Sequence, residues 1–168
     1  MIRKPESLDF VQAAAVPVAV QLAKAKGIWV AGTASARNAQ FLRELGVDQV
    51  IDYQAVRFEE AVRDLDVVLD TIGGDTQARS FGVLKKGGVL VSTVSDPPEA
   101  LSAKFGVQGV RFMVQPSAAQ LAEIAQLIEA GKVRPHVETI LPLSEARRAQ
   151  ELSQTGHTRG KIVLEVGG

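Results

Sequence analysis

Apolar residues recur at helical and strand spacing along most of this chain. Asp9 with Gln12 three residues later has the form of a helix N-cap and its return partner, ahead of the apolar run Phe10 to Val16. Pro17 lacks an N–H and biases Val16 away from helix, so it ends or kinks that run. From Val18 to Lys26 the spacing is helical again, with Val18, Leu22 and Ala25 on one face and Gly27 as the C-terminal cap. Ile28–Ala34 and Val50–Tyr53 read as strands, and Asn38–Leu45 and Phe58–Leu65 as short helices. Asp66–Ile72 is a continuous apolar strand, the pattern expected of one covered on both faces. After a Gly73-Gly74-Asp75 turn come a helix over Thr76–Leu84, a Lys85–Gly88 turn, a buried strand over Val89–Val94 and a helical stretch from Pro97 to Phe105. Val110–Val114 is a further strand. Ser117 caps a helix over Ala118–Ala130, with Leu121, Ile124, Ala125 and Ile128 on one face and Gly131 at its end. The tail holds a strand at Val137–Leu143, a Ser144-capped helix to Leu152 and a last strand at Lys161–Val166.

This alternation over Ile28–Ala130 implies an α/β fold with a doubly wound, Rossmann-like parallel sheet. Ligands of such sheets sit beyond the carboxyl ends of the strands. Those ends are Thr33–Arg37, Tyr53, Asp70–Gly74, Thr93–Asp96 and Val114–Pro116.

Composition narrows the function classes. The 168 residues correspond to about one domain. Nineteen Lys and Arg balance nineteen Asp and Glu, which disfavours nucleic acid as a partner because such a binder needs a basic footprint. With no Cys, the chain has neither a disulfide, a thiolate nucleophile nor a Cys-ligated zinc site, and a reducing, cytoplasmic setting is expected. Phe10–Ala23 is shorter than the roughly 20 apolar residues that span a bilayer, so no membrane association is expected. Arg3 and Lys4 precede it, but Glu6 and Asp9 and the lack of a small-residue cleavage site argue against a signal peptide.

Motif searches fail in an informative way. A dinucleotide site of this fold wants G-x-G-x-x-G after the first strand, because only glycine lets backbone approach the pyrophosphate. No G-x-G occurs. Gly82 and Gly87 have the Walker gap, but Gly88 stands where lysine is required. His136 and His157 are the only histidines, too few for a metal site, so no metal is expected.

Five stretches carry a resemblance: Val20–Gly27, Leu45–Tyr53, Asp66–Gly74, Lys86–Ser92 and Gly160–Leu164. From Val20 to Val166 the chain resembles the nucleotide-binding half and C-terminal tail of the medium-chain dehydrogenase/reductase superfamily, in its zinc-independent quinone oxidoreductase (zeta-crystallin-like) group. Lack of Cys agrees with the zinc-free branch. The resemblance divides the chain into an interdomain remnant (1–19), a partial dinucleotide-binding domain (20–135) and a tail normally packed on the catalytic domain (136–168). The family's catalytic domain has no counterpart here. Where family members carry a helix, a core strand and the Gly-rich turn, Pro17-Val18-Ala19 runs directly into Val20-Gln21-Leu22.

The resemblance implies NADP(H) as cofactor and hydride transfer to a quinone or an α,β-unsaturated carbonyl. NAD-specific sites place an acid after the second strand to hold the ribose hydroxyls. Here Thr33–Asn38 has none, and Arg37 with Ser35 and Asn38 suits a 2′-phosphate. The plainer alternative is that Ser35 caps the helix and Arg37 is solvated. By resemblance, Tyr53 lies near the adenosine phosphate, Thr71, Gly73 and Gly74 beneath the cofactor, and Val94, Ser95, Phe112 and Val114 beside the nicotinamide. Arg159 and Lys161 match tail positions near the phosphates. Asp52 and Asp70 read as structural carboxylates at strand ends, and no catalytic acid or base stands out. The family also pairs the strand around Val110–Val114 across a two-fold axis, which implies a homodimer. The missing glycine loop favours a second reading, a non-catalytic Rossmann-like remnant that self-associates and binds cofactor weakly or not at all.

Overall fold

The computed structural model describes residues 19–113, 115, 117–155 and 158–167, and the expected Asp9 cap, the helix over 10–16 and Val114 lie outside them. The chain forms two compact units, Ala31–Pro116 and a second made of Met1–Val30 with Ser117–Gly168.

The first unit strictly alternates strand and helix. Its strands are β1 (Ala31–Ala34), β2 (Gln49–Asp52), β3 (Leu65–Asp70), β4 (Leu84–Ser92) and β5 (Gln108–Arg111). Its helices are α2 (Ala39–Glu44), α3 (Phe58–Ala61), α4 (Gly74–Ser80) and α5 (Glu99–Phe105); α1 (Ala19–Ala25) precedes them in the other unit. All pairings are parallel, in two sheets ordered β1-β2 and β3-β4-β5. Two apolar clusters hold the unit together. In one, Ile51, Phe58, Val62 and Val83 collect Ala31, Leu65 and Val68. In the other, the fully buried Phe81 and Leu90 meet Val107 and Phe105. Arg79 on α4 adds a surface clasp, bonding both Glu59 and Asp75 and lying 4.9 Å over the Phe58 ring.

Several expected elements are corrected. The first strand is confined to Ala31–Ala34, because only these residues pair with β2, and Ile28 and Trp29 are exposed. The helix from Phe58 stops after one turn: Val62 is extended, Asp64 has φ +55°, and Leu65 already pairs with Leu84. Lys85–Gly88 belongs to β4 rather than to a turn. The register shifts there between Leu65 and Val67, and a Cβ on Gly88 would stand 2.9 Å from the Lys85 carbonyl oxygen and 3.1 Å from that of Asp66, so the irregular crossing needs glycine. The expectation that β3 is covered on both faces fails, because Val67 is 58% and Leu69 50% exposed.

In the second unit, α6 (Ala118–Glu129) begins as expected, Ser117 Oγ accepting the Gln120 N–H at 3.4 Å. Its buried Ile128 packs with Ile124, Leu127, Val133 and Leu22 of α1, whereas Leu121 is exposed. Gln21 gives α1 a polar anchor, donating to the Arg134 carbonyl at 2.9 Å and accepting the Arg134 N–H at 2.7 Å. The parallel pair β6 (Val137–Pro142) and β7 (Lys161–Glu165) flanks α7 (Ala146–Gln154). Ser144 does not cap α7. It lies inside a 3-10 turn, Leu143–Glu145, and the helix starts one residue later.

Candidate functional site

The carboxyl ends of β3 and β4 are organised by one buried carboxylate. Asp70 is the last residue of β3 and pairs in register with Ser92, the last of β4. Its Oδ1 accepts the N–H groups of Ile72 at 3.0 Å and Gly73 at 2.9 Å. Its Oδ2 accepts the Gln77 side-chain amide at 3.0 Å and the Ser92 hydroxyl at 2.8 Å. Gln77 reaches on to Ser95, donating to its hydroxyl at 3.1 Å and its carbonyl at 3.3 Å. Ser92 Oγ in turn accepts the N–H groups of Val94 and Ser95, each at 3.3 Å. The turn after β3 is thereby tied to the turn after β4 through a continuous polar network. The third strand joins through the Phe112 N–H, which donates to the Ser92 carbonyl at 2.8 Å.

Burial pushes the Asp70 carboxyl up, but the bonds from Gly73, Ile72, Ser92 and Gln77 outweigh it and hold its pKa below the ordinary aspartate value. Asp70 is therefore ionised at neutral pH, and the four bonds it accepts are charge-assisted.

The turn itself is a glycine structure. Gly73 has φ +80°, and a Cβ there would press on Val94 Cγ2 at 3.3 Å and Ser95 Oγ at 3.4 Å. Gly74, at φ +55°, opens α4 with nothing within 4 Å of where a Cβ would stand. The result is a turn whose Gly73 is buried against the Val94–Ser95 turn, while Thr71, Ile72 and Gly74 are exposed.

The β1 and β2 ends are joined more lightly. The Tyr53 N–H donates to the Ala34 carbonyl at 3.2 Å, and the Asp52 carboxylate accepts the Gln54 N–H at 3.0 Å. Ser35 sits at the N-cap of the 3-10 turn Ala36–Asn38, but its side chain makes no capping bond, which removes the capping alternative for its hydroxyl. Arg37 and Tyr53 are exposed.

The structure thus brings Thr71, Gly73 and Gly74 together with Val94, Ser95 and Phe112, and separately gathers Ser35, Arg37 and Asn38 beside Tyr53 within the same unit. Arg159 and Lys161 belong to the other unit. There they flank Gly160, whose φ of +84° and contact with the His136 carbonyl exclude a side chain. Sequence reasoning missed Gln77 and Ser92. Both are buried polar side chains bonded to the Asp70 carboxylate, and the signal available was a serine closing the apolar run Val89–Val91 opposite Asp70.

Comparison with known proteins places this geometry in a family. The profile described as "Zinc-binding dehydrogenase" matches residues 45–164. The mitochondrial NAD(P)H oxidoreductase RTN4IP1 of Mus musculus is 33% identical over 175 positions that take in 88% of this chain and 44% of the relative. That share of the chain is about 148 residues, so about 27 positions of the relative face no residue here. The chloroplastic NADPH-dependent alkenal/one oxidoreductase of Arabidopsis thaliana is 30% identical over 197 positions, covering 96% of this chain and 48% of the relative. Among solved structures, the quinone oxidoreductase of Coxiella burnetii superposes with a TM-score of 0.91 at 32% identity, covering 99% of this chain and 64% of that one. The chain spans about half the length of the curated relatives it matches.

The zinc of the family's description does not fit the residues present. The sequence has no Cys, and among the described residues no three His, Asp or Glu side chains gather to hold a metal. The match over residues 45–164, with the parallel α/β sheets that carry it, means that the chain belongs to the zinc-binding dehydrogenase family.

Proposed function

We propose that this chain supplies nucleotide-binding surface to an NADPH-dependent oxidoreductase of the quinone or enone reductase type, belonging to the zinc-independent branch. The observation that carries the reading is the Thr71–Gly74 turn, exposed at Thr71, Ile72 and Gly74 and locked by Asp70 to the Val94–Ser95 turn at the carboxyl edge of a parallel sheet. Such an edge is where doubly wound sheets take their ligands. A side chain at Gly73 would press on Val94 and Ser95 and part the two turns.

The residues fit two ends of the dinucleotide. Arg37, Ser35 and Asn38, with no acid among them, suit a 2′-phosphate, because a guanidinium and a hydroxyl complement a dianion while a carboxylate would repel it. Tyr53 would flank the adenosine, and Val94 and Phe112 would offer apolar surface to the nicotinamide. When bound, the cofactor supplies the hydride. The protein's part is to orient it: the Asp70 network fixes the two turns before binding, so no loop ordering is charged against affinity. Arg159 and Lys161 are the tail's candidates for phosphate contacts.

A second reading rests on a different observation. All four residues of β5 are exposed, as are Phe112 and Met113 beyond it. That edge suits self-association through the strand around Val110–Val114 in a homodimer, with cofactor binding weak or lost for want of a Gly-rich turn. Fluorescence titration with NADPH and NADH separates the two. The first reading expects micromolar, NADPH-selective binding, with Arg37→Ala weakening NADPH at least tenfold and NADH little. Absence of binding by either cofactor, together with dimers in sedimentation, supports the second.

A further inference from the structure

Strand pairing does not join the two sheets of the Ala31–Pro116 unit. Among the described residues β1 pairs with β2, and β3, β4 and β5 form a ladder of their own. Yet the candidate site is divided between them. Arg37 and Tyr53 follow β1 and β2, whereas the Thr71–Gly74 and Val94–Ser95 turns follow β3 and β4. Side chains hold one sheet against the other. Ile51 of β2 packs with Phe58, Val62 and Val83, and Leu65 and Val68 of β3 join the same cluster. Apolar contact is non-directional, so it keeps the two halves close without fixing their angle.

A directional link crosses at the same place. α3 follows the segment after Tyr53, and α4 opens at the Gly73 turn. From α4, Arg79 Nη1 donates to both carboxylate oxygens of Glu59 on α3, at 2.9 and 3.2 Å. Arg79 Nε donates at 2.9 Å to Asp75, in the first turn of α4. Glu59 Oε1 also accepts Arg57 Nη2 at 2.6 Å, and Arg57 is the N-cap of α3. The Arg79 guanidinium lies over the ring of Phe58, a member of the shared cluster. The Arg79 and Glu59 side chains are 32% and 21% exposed, against 41% and 78% for the Arg111–Asp96 pair, so solvent screens their bond less. Charge-assisted hydrogen bonds constrain angle as well as distance.

We propose that Arg79 is a positioning residue: its bonds to Glu59 set the angle between the two sheets, so that a ligand spanning both carboxyl ends meets two halves already aligned. The choice of ligand rests on the cofactor reading, in which the dinucleotide touches Arg37 and Tyr53 at one end and the Gly73 and Val94 turns at the other. A ligand held at two ends gains from its second contact only as far as geometry lets both engage at once. A half-ligand confined to one end gains nothing from the alignment. Loosening Arg79 therefore weakens the whole dinucleotide and spares its half.

Isothermal titration calorimetry on the full chain compares NADPH with adenosine 2′,5′-bisphosphate, the half assigned to Arg37 and Tyr53. Arg79→Gln should weaken NADPH about tenfold and the bisphosphate less than about twofold. Arg79→Lys, which keeps the charge and loses the planar fork, should fall between. Glu59→Gln, from the other side of the link, should act in the same direction as Arg79→Gln. Arg147→Gln, which breaks an exposed ion pair with Glu151 in the other unit, should change neither ligand. A second readout needs no cofactor. The chain has no Cys, so nitroxides on Arg43→Cys of α2 and Ala103→Cys of α5, both exposed, are its only spin labels. Arg79→Gln should broaden their distance distribution in pulsed electron spin resonance while circular dichroism stays that of a folded chain. An unchanged distribution overturns the proposal. So does NADPH affinity that survives Arg79→Gln, or an equal loss for both ligands, which marks a local or folding effect. A wild-type chain that binds neither ligand, with the distribution still broadened by Arg79→Gln, removes the cofactor reading and supports the angle-setting role.

Discussion

Asp52 and Asp70 end consecutive strands of the same alternating pattern, yet they are used differently. Asp52 is half-buried, and its carboxylate accepts the backbone N–H of Gln54. Asp70 is buried and accepts four hydrogen bonds from three elements. A buried carboxylate is tolerated only when its lone pairs are used, and here they are used to fasten two turns to one another. The comparison separates two halves of the candidate site. The β3/β4 end is built before any ligand arrives. The β1/β2 end presents Arg37 and Tyr53, both exposed, on a frame of backbone hydrogen bonds.

The comparison can be broken from the stiff side first. Leu90→Ala, in the fully buried cluster beneath the Asp70 turn, should cost about 3–4 kcal/mol in urea unfolding. Asp70→Asn should cost about 2–3 kcal/mol, because it replaces an acceptor oxygen with a donor facing Gln77 or the Ile72 and Gly73 amides. Its pH signature has a definite sign. The folded-state pKa is depressed, so the stability Asp70 contributes is fully present above the unfolded value of about 3.9 and is lost as pH falls below it. The wild-type chain should therefore lose stability in acid more steeply than Asp70→Asn, as read by urea midpoints between pH 3 and 6.

Gly73→Ala should cost about 1–3 kcal/mol through its left-handed backbone and its closeness to Val94. On the display side the effect on folding should nearly vanish. Arg37→Ala and Tyr53→Phe should each change unfolding free energy by less than about 0.5 kcal/mol, as exposed side chains do. A large folding defect from either would erase the distinction between the two ends.

Much of this division was legible in the residues. Alternating strand and helix patterns located the carboxyl ends, Gly73-Gly74 marked a turn needing bare backbone, and Ser117 with Gly131 bracketed α6 almost to the residue. Gln77 and Ser92 were not legible, because their importance comes from facing Asp70 across strand and helix, a relation set by register and not by local spacing. The exposure of Val67 and Leu69 was misread for a related reason. An apolar run reports the cover a strand expects, and hydrophobicity alone does not say whether this chain provides it. Ser144 was misplaced because a 3-10 turn intervened, moving the helix start one residue along.

The central claim is that the Asp70-locked turns form a nucleotide-binding edge. Backbone amide NMR during an NADPH titration tests it most directly. The account predicts saturable shifts at Ile72, Gly73, Val94 and Ser95, together with the backbone around Arg37, and their loss in Asp70→Asn at neutral pH. Amide positions in both turns that stay unmoved up to millimolar NADPH, in a chain whose spectrum is that of a folded protein, would contradict it.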